Sequence, residues 1–102
     1  MIQTDAFAAW LKALRDRDGR LRILKRLRRL GDGGFGDCKP VGDGVHELRM
    51  FFGPGYRAYF TAQGDTVVLL LVGGDKDSQP GDIARAKLMA RDLRDGSENN
   101  AV

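Results

Sequence analysis

The sequence holds one cysteine, Cys38, and one histidine, His46. A single thiol closes no internal disulfide, and such sparing use of cysteine is expected in a reducing compartment. One Cys and one His also fall short of the ligands a Cys/His zinc site needs within one chain. Long apolar runs are missing as well. The longest, Val67 to Val72, is far shorter than the roughly 20 residues of a membrane-spanning helix. The opening Met1 to Phe7 has neither the basic start nor the apolar stretch of a secretory signal, so the expectation is a cytoplasmic protein with no membrane partner. No internal repeat and no low-complexity linker is present. Neither sign of charge dominates: 17 Lys and Arg against 14 Asp and Glu leave a net charge of +3 and a pI near 9.4. That mild basic bias does not by itself name a nucleic-acid partner.

What is present suits a single folded domain. The chain has 102 residues and a hydrophobic fraction of 42%, enough for one core and too little for two. The domain is expected over residues 1–95, with 96–102 a flexible polar tail. Thr4 or Asp5 can cap a first helix with Phe7, Trp10, Leu11 and Leu14 on one face. Asp16 to Gly19 breaks it. A second helix follows with Leu21, Ile23, Leu24, Leu27 and Leu30 as its apolar stripe, and Arg20, Arg22, Lys25, Arg26, Arg28 and Arg29 on its other faces. The run Gly31 to Gly34 ends it. After Gly36 the period changes to that of strands. Cys38 to Val41 carries Pro40 and is expected at a sheet edge. Thr66 to Val72 is apolar on both faces, as in a central strand covered on both sides. A third helix is expected from Asp82 to Leu93, with Ile83, Ala86, Leu88, Ala90 and Leu93 apolar. The order α-α-β-β-β-β-α predicts an α+β fold: two N-terminal helices on a mostly antiparallel four-stranded sheet with a C-terminal helix, all helices on one side.

The most informative segment is Val45 to Phe60, which reads as a β-hairpin. Gly53, Pro54 and Gly55 make its turn, because Pro sets φ and Gly permits positive φ. Alternate residues of a strand share a face. Glu47 and Arg49 therefore share one face of the first strand, and Arg57 and Tyr59 one face of the second. His46 has the opposite parity. A basic surface with an aromatic beside it suits a phosphate-bearing partner or an acidic peptide. Gly73-Gly74-Asp75-Lys76 follows the central strand as a loop whose amides and ammonium can hold a phosphate. Asp75, Asp77 and Asp82 read as caps of the third helix, favoured there by the helix dipole, rather than as a metal cluster. Cys38 reads as a small buried strand residue.

Three strings of this sequence, Gly36 to Arg49, Gly53 to Phe60 and Leu71 to Gln79, together resemble the RelE/ParE toxin superfamily, in its HigB-like, phage Gp49-type branch. The resemblance runs from about Phe7 to Leu93. It implies a RelE-like fold and the toxin of a type II toxin–antitoxin module, neutralised by a cognate helix-turn-helix antitoxin. The activity implied is a metal-independent, cofactor-free, ribosome-associated endoribonuclease that cleaves messenger RNA and stops translation. In such chemistry a base activates the ribose 2′-OH, cations stabilise the phosphate charge, and an acid protonates the departing 5′-oxygen. The resemblance assigns Arg57 to the family's Gly-Tyr-Arg motif, Arg49 to its Glu-Leu-Arg strand and Lys76 to the basic residue after the last strand. Glu47, as a general base in place of a lysine, and Tyr59, with His46 as the alternative for proton transfer, complete the expected catalytic set, and Lys39, Arg22, Arg26 and Arg29 the expected RNA contacts. Places that hold lysines in the best-known ribosome-dependent members hold Val45 and Glu47 here, and no tyrosine follows Tyr59. Those departures keep open a second implied activity, non-catalytic inhibition of DNA gyrase as in the ParE branch, and a third, a harmless RNA-binding remnant.

Overall fold

Thr4 begins the fold by joining two elements. Its hydroxyl accepts the Phe7 N–H at 3.0 Å, capping the first helix, and donates to the Leu71 carbonyl at 2.6 Å on a central strand. A cap of this kind stabilises a helix by about 1 kcal/mol. The computed structural model describes residues 2–64 and 66–100. In chain order they form β1 (Ile2–Gln3), α1 (Asp5–Ala13), α2 (Arg17–Gly31), β2 (Cys38–Gly42), β3 (Val45–Arg49), β4 (Arg57–Gln63), β5 (Thr66–Gly74) and α3 (Gln79–Asn100). The strands make one sheet in the order β1-β5-β4-β3-β2. Three helices with an open mixed sheet are the α+β class expected, but the sheet has five strands rather than four. The extra strand is the two-residue β1, which pairs parallel to β5 at Leu69 and Leu70. β2, with Pro40, takes the edge as expected, and β2 to β5 run antiparallel.

The helices do not share one side of the sheet. Phe7 of α1 and Ile23, Leu27 and Leu30 of α2 pack on Leu48, Ala58, Phe60 and Leu70. Ala86 and Ala90 of α3 pack on Val45, Tyr59, Leu71 and Val72, the residues of opposite parity. Burial on both faces is what the apolar run of β5 required. The buried stripe of α2 is Ile23, Leu27 and Leu30, at helical spacing, whereas Leu21 and Leu24 are exposed, because they sit about 160° and 100° around the helix from Ile23. Leu88 of α3 is exposed for the same reason, Leu93 is exposed although it continues the Ala86–Ala90 stripe, and α3 buries alanines instead.

α3 starts at Gln79, three residues before its expected start, and runs past Leu93 to Asn100. Its first turn is braced by Asp75, whose Oδ1 accepts the backbone N–H groups of Asp77 and Ser78, and by Ser78, whose hydroxyl donates to Asp82 at 2.5 Å. Asp75 and Asp82 thus do the structural work foreseen for them, while Asp77 contributes its backbone. Residues 101 and 102 of the expected tail lie outside the described residues. Gly73 and Gly74 are the end of β5, not a loop. A Cβ on Gly73 would collide with the Trp10 indole, and one on Gly74 with the Asp82 carboxyl. Their lack of side chains lets α1 and the start of α3 close onto the strand, leaving no phosphate-holding loop at that point.

Candidate functional site

The β3–β4 register places Glu47 opposite Tyr59 and Arg49 opposite Arg57. All four side chains therefore leave the sheet on the α3 face. The turn between the strands is longer than a tight hairpin. β3 ends at Arg49 and β4 begins at Arg57, with the Met50 N–H bonded to the Tyr56 carbonyl at 2.9 Å. Gly53 (φ 58°) and Gly55 (φ 79°) take the left-handed conformations for which glycine suits the turn.

Glu47 lies at the centre of the cluster and is fully buried. Its Oε2 accepts the Tyr59 hydroxyl at 2.9 Å and the Gln79 side-chain amide at 2.8 Å. Arg57 Nε stands 3.7 Å from the same oxygen. Oε1 accepts no hydrogen bond and has Lys39 Nζ 3.8 Å away, from the neighbouring edge strand. Burial beneath α3, reinforced by the bond to Glu47, pushes the Tyr59 phenol far above its ordinary value. Tyr59 is therefore a neutral hydroxyl at any physiological pH and a donor rather than a base.

Arg57, with an 11% exposed side chain, is oriented from two sides, by Glu47 and by the Gly55 carbonyl at 2.7 Å from Nη1. Arg49 is more open and pairs with Asp37 at 3.1 Å. Lys76 is exposed, and Gly55 lies between it and Arg57: a Cβ there would sit 3.1 Å from Arg57 Nη1 and 3.3 Å from Lys76 Cβ. Three buried polar atoms lack hydrogen-bond partners among the described residues, and they are Glu47 Oε1, Arg49 Nε and Arg57 Nε. Two of these atoms still stand in ion pairs, Glu47 Oε1 with Lys39 at 3.8 Å and Arg57 Nε with Glu47 Oε2 at 3.7 Å, so charge rather than hydrogen bonding holds them. Two of the three are cationic donors, which suits an anion.

The expected residues thus divide into three groups. Glu47, Tyr59, Arg57, Arg49 and Lys76 come together, with Glu47 and Tyr59 below the surface and the cations nearer to it. Lys39 joins them through Glu47 rather than extending the basic helix. Arg22, Arg26 and Arg29 lie with α2 on the other side of the sheet, where with Lys25 and Phe52 they line an open groove of about 370 Å³. Arg22 stacks over the Phe52 ring at 4.2 Å. Arg26 is also structural: its guanidinium donates to the carbonyls of Gly34 and Phe35, holding the α2–β2 connection. His46 stacks on Phe60 with ring centroids 5.5 Å apart, facing away from Glu47. Cys38 is half-buried, donates to the Phe35 carbonyl at 2.8 Å, and has its thiol pushed up by burial. Gln79 was not foreseen. Its only signal in the sequence is its place at the start of a helix following the central strand.

Among the described residues, no three His, Cys, Asp or Glu side chains gather closely enough to hold a metal ion. No helix among them is long and apolar enough to cross a membrane.

Comparison with known proteins agrees with this arrangement at the level of family. Residues 9–94 match the family model described as "Phage derived protein Gp49-like (DUF891)". An uncharacterized protein of Haemophilus influenzae is 46% identical over 90 residues, covering 88% of this chain and 91% of its own length. No solved structure matches. The matched span takes in α2, the whole β2–β5 meander and the part of α3 that covers Glu47, and on that evidence the chain belongs to the phage-derived Gp49-like family, which is associated with toxin–antitoxin modules.

Proposed function

We propose that the chain is the toxin of such a module and cleaves messenger RNA on the ribosome, with its own side chains as the catalytic groups. The observation that carries this reading is the Glu47 cluster, a buried carboxyl ion-paired with Arg57 and Lys39, with Arg49 opposite Arg57 on the same face. Arg49, Arg57 and Lys76 would bind the scissile phosphate and stabilise its charge in the transition state. The ribose 2′-oxygen would attack phosphorus as its proton passes to the Glu47 carboxylate, the P–O5′ bond would break, the leaving oxygen would take a proton from Tyr59, and the protonated carboxyl would turn to return its proton to Tyr59. Lys39, half-exposed and nearest to Oε1, would turn to the phosphate as substrate enters. The basic groove on α2 would meet ribosomal RNA on the far side of the sheet. An antitoxin would neutralise the chain by covering the Arg49–Arg57 face with acidic or apolar side chains.

Growth inhibition through DNA gyrase is the second reading. Its supporting observation is that Glu47 and Tyr59, both fully buried, present no atom to solvent. Brief induction of the chain in a bacterial host, with transcript 5′ ends mapped, separates the two. New ends inside translated regions that disappear with Arg57→Ala are the expected result. Growth arrest with intact transcripts and broken DNA would replace the ribonuclease with the gyrase inhibitor.

A further inference from the structure

Phe51 is 78% exposed, more than any other large apolar side chain among the described residues. Its neighbour Phe52 packs against the α2-side core, beneath Arg22. Met50 and Phe52, on either side of Phe51, both pack into the α2-side core, so Phe51 turns away from it, towards the side of the Glu47 cluster. The Arg49 guanidinium stands 5.7 Å from its ring centroid, and the same side chain carries one of the unpaired Nε atoms. An isolated exposed phenylalanine needs no explanation. This one lies at the turn of a hairpin whose two arginines reach an anion-ready cluster, with Lys76 on the other side of Gly55.

We propose that Phe51 is a stacking platform for one nucleobase of single-stranded RNA, seated next to the phosphate held by Arg49 and Arg57. The inference rests on the ribonuclease reading and adds to it the residue that positions the base. An aromatic face within reach of two arginines matches a nucleotide, which brings a π-surface and a phosphate in one unit. An apolar protein segment would need a broader patch, and the exposed residues that follow Phe51 in the turn are Gly53 and Pro54. Every base has a π-face, so stacking tolerates sequence. Phe51 therefore sets where the strand lies and how tightly, and leaves base choice to other contacts.

The test uses the full chain and two fluorescent probes with 2′-O-methyl sugars that resist cleavage. One is a single-stranded oligonucleotide with its bases, the other the same ribose-phosphate chain without them. Phe51→Ala is expected to weaken binding of the first about 5- to 150-fold at fixed salt, the range that losing one aromatic–base stack implies. Its binding of the baseless probe stays at the wild-type value. Phe51→Trp restores the first probe, and Arg57→Ala weakens both. Equal losses on the two probes, or none on either, would overturn the stacking role while the Arg57 effect leaves the ribonuclease reading standing. Wild-type protein that binds neither probe would overturn the stacking role, and the transcript-end mapping decides the ribonuclease reading separately.

Discussion

Replacing Glu47 with leucine removes the acceptor on which four side chains converge, and the cost can be worked from their surroundings. The Tyr59 hydroxyl is fully buried and loses its acceptor, which leaves a desolvated donor at about 1–3 kcal/mol. Arg57, 11% exposed, loses its opposite charge at 3.7 Å. Breaking a fully buried pair costs about 3–5 kcal/mol, and the partial access of Arg57 to water brings this to the low end. Gln79 and Lys39 can turn towards solvent and add little. The total is about 4–6 kcal/mol, against the roughly 5–15 kcal/mol that hold a domain together. With a urea slope of about 1–3 kcal/mol per molar, Glu47→Leu should lower the unfolding midpoint by at least about 1 M. Glu47→Gln keeps an oxygen for Tyr59 and Gln79 but loses the charge, for a smaller cost of about 1–3 kcal/mol. A cycle with Tyr59→Phe checks the cause. In the Glu47→Leu background the phenol has no bond left to lose, so the second substitution should cost less than in the wild type. Urea unfolding followed by circular dichroism measures all four proteins. A Glu47→Leu protein within about 0.5 kcal/mol of wild type, as for an ordinary surface change, would show that the carboxyl does not hold the cluster together.

Two further predictions concern the scaffold. Gly73→Ala should destabilise the protein by about 1–3 kcal/mol, because the added methyl meets the Trp10 ring, and Trp10 fluorescence should report the displacement. Asp16 caps α2 and accepts hydrogen bonds from the Gly19 N–H and the Tyr56 hydroxyl, which hold its carboxyl below the usual 3.8. The depressed value means that its ionised form adds stability above 3.8 and that this contribution disappears as pH falls through the folded value. The stability gap between wild type and Asp16→Asn should therefore close on acidification, and thermal melts across an acid series would show it. A gap that stays constant with pH would refute the assignment.

The site face was legible because strand parity is a local property. Alternation was enough to put Glu47 with Arg49 and Arg57 with Tyr59, whereas the pairing of Glu47 with Tyr59 and of Arg49 with Arg57 depends on the longer turn between the strands. What sequence could not supply was the third layer. β1 exists only through its pairing with β5, since two residues carry no periodic signal. Gly73 and Gly74 read as a loop because glycine usually breaks a strand. Their reason is instead the close approach of Trp10 and Asp82, residues distant from them or across a turn. Leu21, Leu24 and Leu88 are apolar and so read as core, although their angular positions put them outside the stripes; Leu93 lies on the α3 stripe and is exposed all the same. Most consequential was the side on which α3 packs. With all helices on one face, Glu47 and Tyr59 would lie open to solvent as an accessible acid–base pair. With α3 on their face, its first residue, Gln79, bonds to Glu47 and closes the pair beneath the surface. The cations also differ in exposure. Arg57, with an 11% exposed side chain, is held between Glu47 and the Gly55 carbonyl, while Arg49 at 35%, Phe51 and Lys76 stand further out, so on the ribonuclease reading proposed above a strand of RNA would meet those three first.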